Sequence, residues 1–273
     1  MSPSSLLSRR ALPGLIFSML AALPTFAVEI IGHRGASYDA PENSLSSMKL
    51  AWEQEADAIE FDLWLTSDGK IAVFHDATTK RYDGQDRKVA ELTLAELQQL
   101  DIGKIKGAPY AGEKIPSLEA ILATIPEKKR AVIEIKCGPE ILPELVKVIK
   151  ASKKPASQLS VISFNYETIK QSRVLLPELE HYYLAGCKKD PTTGKLPEIE
   201  PLIQQAKDAN LTGLDLQSTW PFSAEFVAKI RGAGLKLIAW TVDDREVAGK
   251  LVALGVDGIT TNRPAWLREQ LKQ

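Results

Sequence analysis

The sequence predicts an α/β protein folded as a TIM-type (β/α)8 barrel, with a small insertion between its second strand and second helix. Three observations carry the prediction: eight short β-branched runs, eight intervening stretches of helical period, and links that are short everywhere but one. Such alternation calls for parallel strands joined by right-handed crossovers, and eight units close most simply into a barrel of roughly 250 residues. A doubly wound open sheet is the rival, but no Gly-x-Gly-x-x-Gly turn opens the first helix.

The elements follow in order. Glu29-Ile-Ile-Gly32 reads as the first strand and 44–56 as the first helix. The later strands are 58–65, 131–136, 159–164, 181–185, 213–217, 236–242 and 258–261, and the later helices 117–125, 139–152, 165–176, 198–209, 223–231, 244–254 and 264–271. Asn43, Ser117 and Asp243 stand where capping side chains belong, and Gly232, Gly234 and Gly255 where helices should stop. The one long link, about 66–116, carries Gly, Asp, Lys and Pro punctuation, an extended Ile71–Asp76 stretch and a short helical Leu94-Ala-Glu-Leu97. An excursion of that length in a compact barrel usually covers or completes a site.

At 273 residues, 44% hydrophobic and 25% charged, the chain can bury a sizeable core, which excludes disorder, collagen and small disulfide scaffolds. The formal charge is −1, with the 34 basic residues dispersed, so no nucleic-acid partner is expected. Residues 1–27 read as a cleaved signal peptide: Arg9 and Arg10 form the positive region, Ala11–Leu23 the apolar stretch and Thr25-Phe26-Ala27 the small-residue cleavage site. The apolar run falls short of the ~20 residues a membrane anchor needs. Residues 28–273 then form a periplasmic or secreted barrel with no stable membrane insertion. The ordinary secretory route is favoured over the twin-arginine one that Ser8-Arg9-Arg10 resembles. Cys137 and Cys187 fit no zinc motif and read as structural thiols, free or singly paired.

Glu60 and Asp62 are two residues apart on the second strand, so the pleat points both carboxylates to one face and Phe61 to the other. Glu134 and Lys136 repeat the spacing on the third. Three acids and a lysine facing a barrel interior are costly to bury without a counter-charge. A hard divalent cation, Mg²⁺ or Ca²⁺, explains the set, and so does an ion-pair network among the four. The histidines bear on that choice. His33 ends the first strand and His75 ends Ile71-Ala-Val-Phe74, so both fall near the mouth that carries catalytic groups in such barrels. Imidazoles beside a metal suit general acid and base roles, and Arg34 suits an oxyanion. His181, at the start of its strand, reads as a structural residue at the opposite end.

An ordered series of motifs runs through the chain: His33-Arg34-Gly35, Pro41-Glu42-Asn43-Ser44, Glu60-Phe-Asp62, Leu65-Thr-Ser-Asp68-Gly69, Val73-Phe-His75-Asp76, Gly112-Glu-Lys-Ile115-Pro116-Ser-Leu118, Glu134-Ile-Lys136 and Trp240-Thr-Val. This series closely resembles the glycerophosphodiester phosphodiesterases from about residue 30 to Pro264. The resemblance implies a metal-dependent barrel enzyme that cleaves a small-molecule glycerophosphodiester to glycerol 3-phosphate and an alcohol. By position it implies Glu60, Asp62 and Glu134 as ligands of one divalent cation, His33 and His75 as the acid/base pair, and Arg34 and Lys136 as phosphate-binding cations. Trp240, Trp220 and Phe164 are candidates for an apolar wall beside the glycerol.

Two positions depart from the family pattern: Asn262 stands where Asp is frequent and Asp243 where Asn is frequent, and neither is expected to touch a catalytic residue. Asp101–Ile105 also lacks a tryptophan common in the excursion. One alternative is a lysophospholipase D or phospholipase-like enzyme, which an apolar patch at the barrel mouth would favour. Another is a periplasmic phosphate-compound binding protein, against which the acid/base pair argues.

Overall fold

The computed structural model describes residues 28–272. The export-signal reading of 1–27 lies outside them. Eight strands form a closed parallel ring: β1 (Glu29–Gly32), β2 (Ala58–Leu65), β4 (Arg130–Ile135), β5 (Leu159–Ser163), β6 (Glu180–Ala185), β7 (Gly213–Gln217), β8 (Lys236–Trp240) and β9 (Gly258–Thr261), which pairs back to β1. Registers Ile31↔Ala58 and Ile30↔Ile259 seal the ring. Around it stand α1 (Leu45–Glu53), α4 (Leu118–Thr124), α5 (Leu142–Ser152), α6 (Tyr166–Leu175), α7 (Glu200–Asp208), α8 (Ala224–Gly232), α9 (Arg245–Ala253) and α10 (Pro264–Leu271). The architecture is the predicted TIM barrel.

One strand lies outside the ring. The last three residues of β2 pair antiparallel with β3 (Ile71–Val73), in register Leu63↔Val73, Trp64↔Ala72 and Leu65↔Ile71. This hairpin leads into the excursion, which adds α2 (Lys80–Asp83) and α3 (Leu94–Leu97). The excursion has its own apolar centre, with Phe74, Val89, Leu97, Ile102 and Ile115 buried together. Phe74 donates its N–H to the carbonyl of Asp62, and Trp64 Nε1 donates to the carbonyl of His75 at 3.1 Å. Apolar burial and these two hydrogen bonds thus pin the backbone beside His75 to β2.

Two apolar layers account for the rest. Outward residues of the strands, such as Ile59, Phe61, Ile133, Leu214 and Leu216, pack against the helices. Inward residues Ile31, Val132, Ile162, Tyr182, Leu184 and Ile238 fill the barrel. Gly213 is required here: a Cβ would lie 2.2 Å from the Lys236 carbonyl and 2.9 Å from the Tyr182 ring. Below Tyr182, Arg130 bridges Glu29 at 3.3 Å and Glu180 at 2.5 Å, and Lys236 meets Glu180 at 2.5 Å.

The helix starts differ from expectation in an instructive way. Ser117 caps α4, but α1 is capped by Ser44 and α9 by Asp244, each one residue after the predicted cap. The displaced side chains, Asn43 and Asp243, have polar partners in the site instead. Gly234 and Gly255 do take positive φ past their helices, whereas Gly232 is the last residue of α8.

Candidate active site

At the C-terminal end of the strands a cavity of about 210 Å³ is lined by His33, Arg34, Glu60, His75, Glu134, Lys136, Ile162, Phe164, Leu184, Asp215, Trp240 and Thr260. The ring brings Glu60 and Asp62 from β2 next to Glu134 from β4, paired as Asp62↔Glu134 in the parallel register. One carboxylate oxygen from each lies within 4.8 Å of the other two, and all three residues are buried. Glu60 Oε1 and Asp62 Oδ1 make no hydrogen bond with any described residue, although the Lys136 ammonium stands 3.5 Å from Asp62 Oδ1. Glu134 Oε1 lies 2.8 Å from the Lys136 ammonium, outside hydrogen-bonding geometry. Three converging, underpartnered hard oxygens could hold an oxygen-liganded divalent cation.

The remaining lone pairs are occupied in ways that aim those oxygens. Arg34 donates its backbone N–H to Glu60 Oε2 at 2.9 Å, and Asn43 Nδ2 donates to Asp62 Oδ2 at 2.7 Å while its Oδ1 accepts from the Asp62 N–H. Arg34 and Asn43 both adopt left-handed backbone, φ 54° and 56°. The turn also needs Gly35, since a Cβ there would sit 2.5 Å from Ser47. Conformations of this kind cost about 1–2 kcal/mol each for ordinary residues. They turn the Arg34 N–H and the Asn43 amide toward the acids.

Electrostatics follow from this crowding. Burial, then the charges of Asp62 and Glu134, raise Glu60 well above the usual carboxyl range. Burial and the Asp62 charge push Glu134 up to about 8, against the pull of Lys136. For Asp62, burial is outweighed by Arg34 and then Lys136, which hold it below its ordinary value. Arg34 Nε lies 3.2 Å from Asp62, and Lys136 Nζ 3.5 Å from its other oxygen. Both cations line the cavity together with Glu60 and Glu134, while Asp62 lies behind them.

The two histidines are held differently. His75 pairs its Nδ1 with Asp76 at 2.8 Å, and Asp76 is tied through Arg81 to Glu42 and so to Arg34. His33 pairs its Nδ1 with Asn262 Oδ1 at 2.7 Å. Asn262 Nδ2 donates to Asp243 at 2.5 Å, and Asp243 also accepts from the Asn262 N–H and the Thr261 hydroxyl. The expectation that Asn262 stays clear of the candidate catalytic residues is therefore wrong, whereas Asp243 reaches His33 only through Asn262. Parallel pairing places β9 beside β1, so the residue after β9 reaches the residue after β1. Burial and then the Arg34 charge lower His33 to about 4.

Trp220 must also be corrected. It is 3% exposed, donates its indole N–H to the Ala185 carbonyl and packs on Phe226, away from the cavity. Trp240 and Phe164 do line the cavity, in edge contact at 5.5 Å, with Phe164 45% exposed. His181 is buried and pairs with the Ser172 hydroxyl at 3.0 Å. Asp215 was missed, although an acid between Leu214 and Leu216 on a strand with both leucines outward was the available signal.

A (β/α)8 barrel with a carboxylate trio, two cations and two oriented imidazoles at its mouth has the groups of a hydrolase acting on an oxyanion. The chain matches the model of the glycerophosphoryl diester phosphodiesterase family over residues 33–266. It is 35% identical over 246 residues to a glycerophosphodiester phosphodiesterase of Caldanaerobacter subterraneus subsp. tengcongensis, covering 87% of this chain and 95% of that one. A glycerophosphodiester phosphodiesterase of Bacillus subtilis is 32% identical, covering 86% of this chain and 83% of its own. An Oleispira antarctica phosphodiesterase, solved with the product sn-glycerol-3-phosphate, superposes with a TM-score of 0.80 at 30% identity, covering 91% and 98%. The chain belongs to the glycerophosphoryl diester phosphodiesterase family and is a phosphoric diester hydrolase.

Proposed function

We propose that the protein hydrolyses glycerophosphodiesters to sn-glycerol 3-phosphate and an alcohol, using His33 and His75 as base and acid. The observation that carries this reading is the convergence of Glu60, Asp62 and Glu134, within 4.8 Å of one another, beside the cavity that both histidines line. These acids would hold one divalent cation, Mg²⁺ or Ca²⁺, which when bound polarises a phosphoryl oxygen. Arg34 and Lys136 neutralise the other non-bridging oxygen, where negative charge grows in the transition state.

Asp243 accepts hydrogen bonds only, so it fixes the Asn262 amide with Nδ2 toward itself and Oδ1 toward His33. His33 therefore carries its proton on Nδ1 and offers the Nε2 lone pair to the nucleophile. His75 has Asp76 as counter-ion and gives its proton to the departing alkoxide. Phe164 and Trp240 supply an apolar flank for the glyceryl carbons. The test is release of glycerol 3-phosphate from a panel of glycerophosphodiesters with and without chelator: chelator-sensitive release is expected, and none from any member rejects the reading.

Residues 1–27 would be removed on export, leaving a barrel that works in the periplasm or outside the cell. Among the described residues no helix is long and apolar enough to cross a membrane. N-terminal sequencing of the exported protein checks the processing site, expected after Ala27.

A further inference from the structure

Asp215 plays no part in the chemistry above, yet its surroundings are unusual. It is the middle residue of β7, between Leu214 and Leu216, which both pack outward against the helices. Alternation turns Asp215 inward, and the parallel registers set it beside Leu184 of β6 and Ile238 of β8, two members of the apolar barrel filling. It is 1% exposed, and its carboxyl makes no hydrogen bond with any described residue, Oδ1 being fully enclosed. It lines the same cavity as His33, His75 and Lys136.

A buried carboxyl without a partner is normally selected against, so one aimed into a cavity calls for a ligand group. A metal does not answer, because the acids whose oxygens converge within 4.8 Å are Glu60, Asp62 and Glu134, without Asp215. A cationic ligand does not answer either: burial, then the Glu134 charge, raise the Asp215 pKa well above the usual range and favour the neutral acid. A neutral carboxyl both donates and accepts, which matches an alcohol hydroxyl. Its neighbours fit the rest of a polyol. The Trp240 indole N–H donates to the Asp215 carbonyl at 3.1 Å, which lays the ring alongside, and Leu184 continues the apolar flank.

We infer that Asp215 binds a hydroxyl of the glyceryl moiety and makes the enzyme select hydroxylated over simple alkyl phosphodiesters. The inference rests on the proposed reaction for its substrate, not for its geometry. A site built to hydrogen-bond a hydroxyl discriminates against the analogue lacking it, because the buried polar group is then left unpaired.

The test compares glycerophosphocholine with n-propyl phosphocholine, its dideoxy analogue, in wild type, Asp215→Leu and Asp215→Asn. Wild type is expected to favour the glycerol ester in kcat/KM by about 10²-fold, the scale of leaving one buried polar group unpaired. Asp215→Leu should collapse that ratio toward unity, chiefly through KM for the glycerol ester, with the propyl ester unchanged or improved. Asp215→Asn keeps a donor and an acceptor and should restore most of the ratio. Equal losses on both esters, or an unchanged ratio in Asp215→Leu, would overturn the assignment. The same ratio is read as Kd for glycerol 3-phosphate against propyl phosphate, independent of turnover. A protein that discriminates in binding but hydrolyses neither ester supports Asp215 and rejects the proposed reaction.

Discussion

Asn262 presents its amide oxygen 2.7 Å from Nδ1 of His33, and Asp243 fixes the orientation of that amide from the far side. The imidazole thus leans on a neutral group, and the negative charge is held one residue further away. Asn262→Asp alone would set two carboxylates face to face and is expected to lower kcat/KM by about 10²-fold or more, the scale of general base catalysis.

The double variant Asp243→Asn plus Asn262→Asp restores a donor between the two side chains and gives His33 a carboxylate partner. A carboxylate favours the imidazolium, so His33 must lose its proton at higher pH to act as base. Activity should recover substantially, with the acidic limb of kcat/KM displaced upward by about one pH unit or more. An unshifted acidic limb in an active double variant would show that His33 is not the base.

Metal binding should be linked to protons. Without the ion, Glu60 and Glu134 are both raised above 4.5, Glu134 to about 8. Their contribution to stability is therefore complete below pH 4.5 and lost as pH rises, for Glu134 through about 8. Asp62 runs the other way: held below 3.8, it contributes above that value and loses its contribution in acid. A divalent cation needs the deprotonated cluster, so the rise in Tm on adding Mg²⁺ should grow between about pH 4.5 and 8. Glu134→Gln should shrink that rise and raise the metal-free Tm at pH 8, because like-charge repulsion is relieved. Its kcat should fall by more than the roughly 10–100-fold typical of groups that only orient a metal ligand. A pH-independent Tm increment would refute the linkage.

The barrel was legible because its signals are local. Alternation of β-branched runs with helical periods marks each unit, and strand ends place His33 and His75 at one mouth. What the sequence hid depends on contacts across the ring. Asn262 and His33 are 229 residues apart and meet because β9 closes onto β1. Trp220 and Trp240 look alike in sequence, and only tertiary packing sends one under Phe226 and the other into the cavity. The helix caps were misplaced at Asn43 and Asp243 because neighbouring Ser44 and Asp244 do the capping. That frees Asn43 for Asp62 and Asp243 for Asn262, a division of labour no propensity scale encodes.

Cys137 and Cys187 are both free thiols, partly buried. Burial pushes Cys137 up to about 11 and raises Cys187 as well, so neither offers much thiolate at neutral pH. The double variant Cys137→Ser plus Cys187→Ser is expected to keep kcat/KM within about twofold, the range of changes remote from special features. Alkylation of the native enzyme by iodoacetamide at pH 7 should be slow and leave activity intact. Rapid inactivation would place one of the thiols in the reaction.

The division of labour between the histidines can be read from the leaving group. Choline leaves as a high-pKa alkoxide and needs a proton as the bond breaks, whereas p-nitrophenolate leaves unaided. Loss of the acid should therefore damage choline release far more than p-nitrophenol release, by about the 10²–10⁴-fold that general acid catalysis contributes. Loss of the base should damage both alike, since nucleophile activation is common to them. His75 has the Asp76 carboxylate against Nδ1 and His33 has the Asn262 amide. His75→Ala should accordingly retain activity on the p-nitrophenyl ester of glycerol phosphate while losing glycerophosphocholine hydrolysis. His33→Ala should lose both in similar proportion. Selective rescue of His33→Ala by the good leaving group would exchange the two roles, and equal losses in all four combinations would remove the acid/base division altogether.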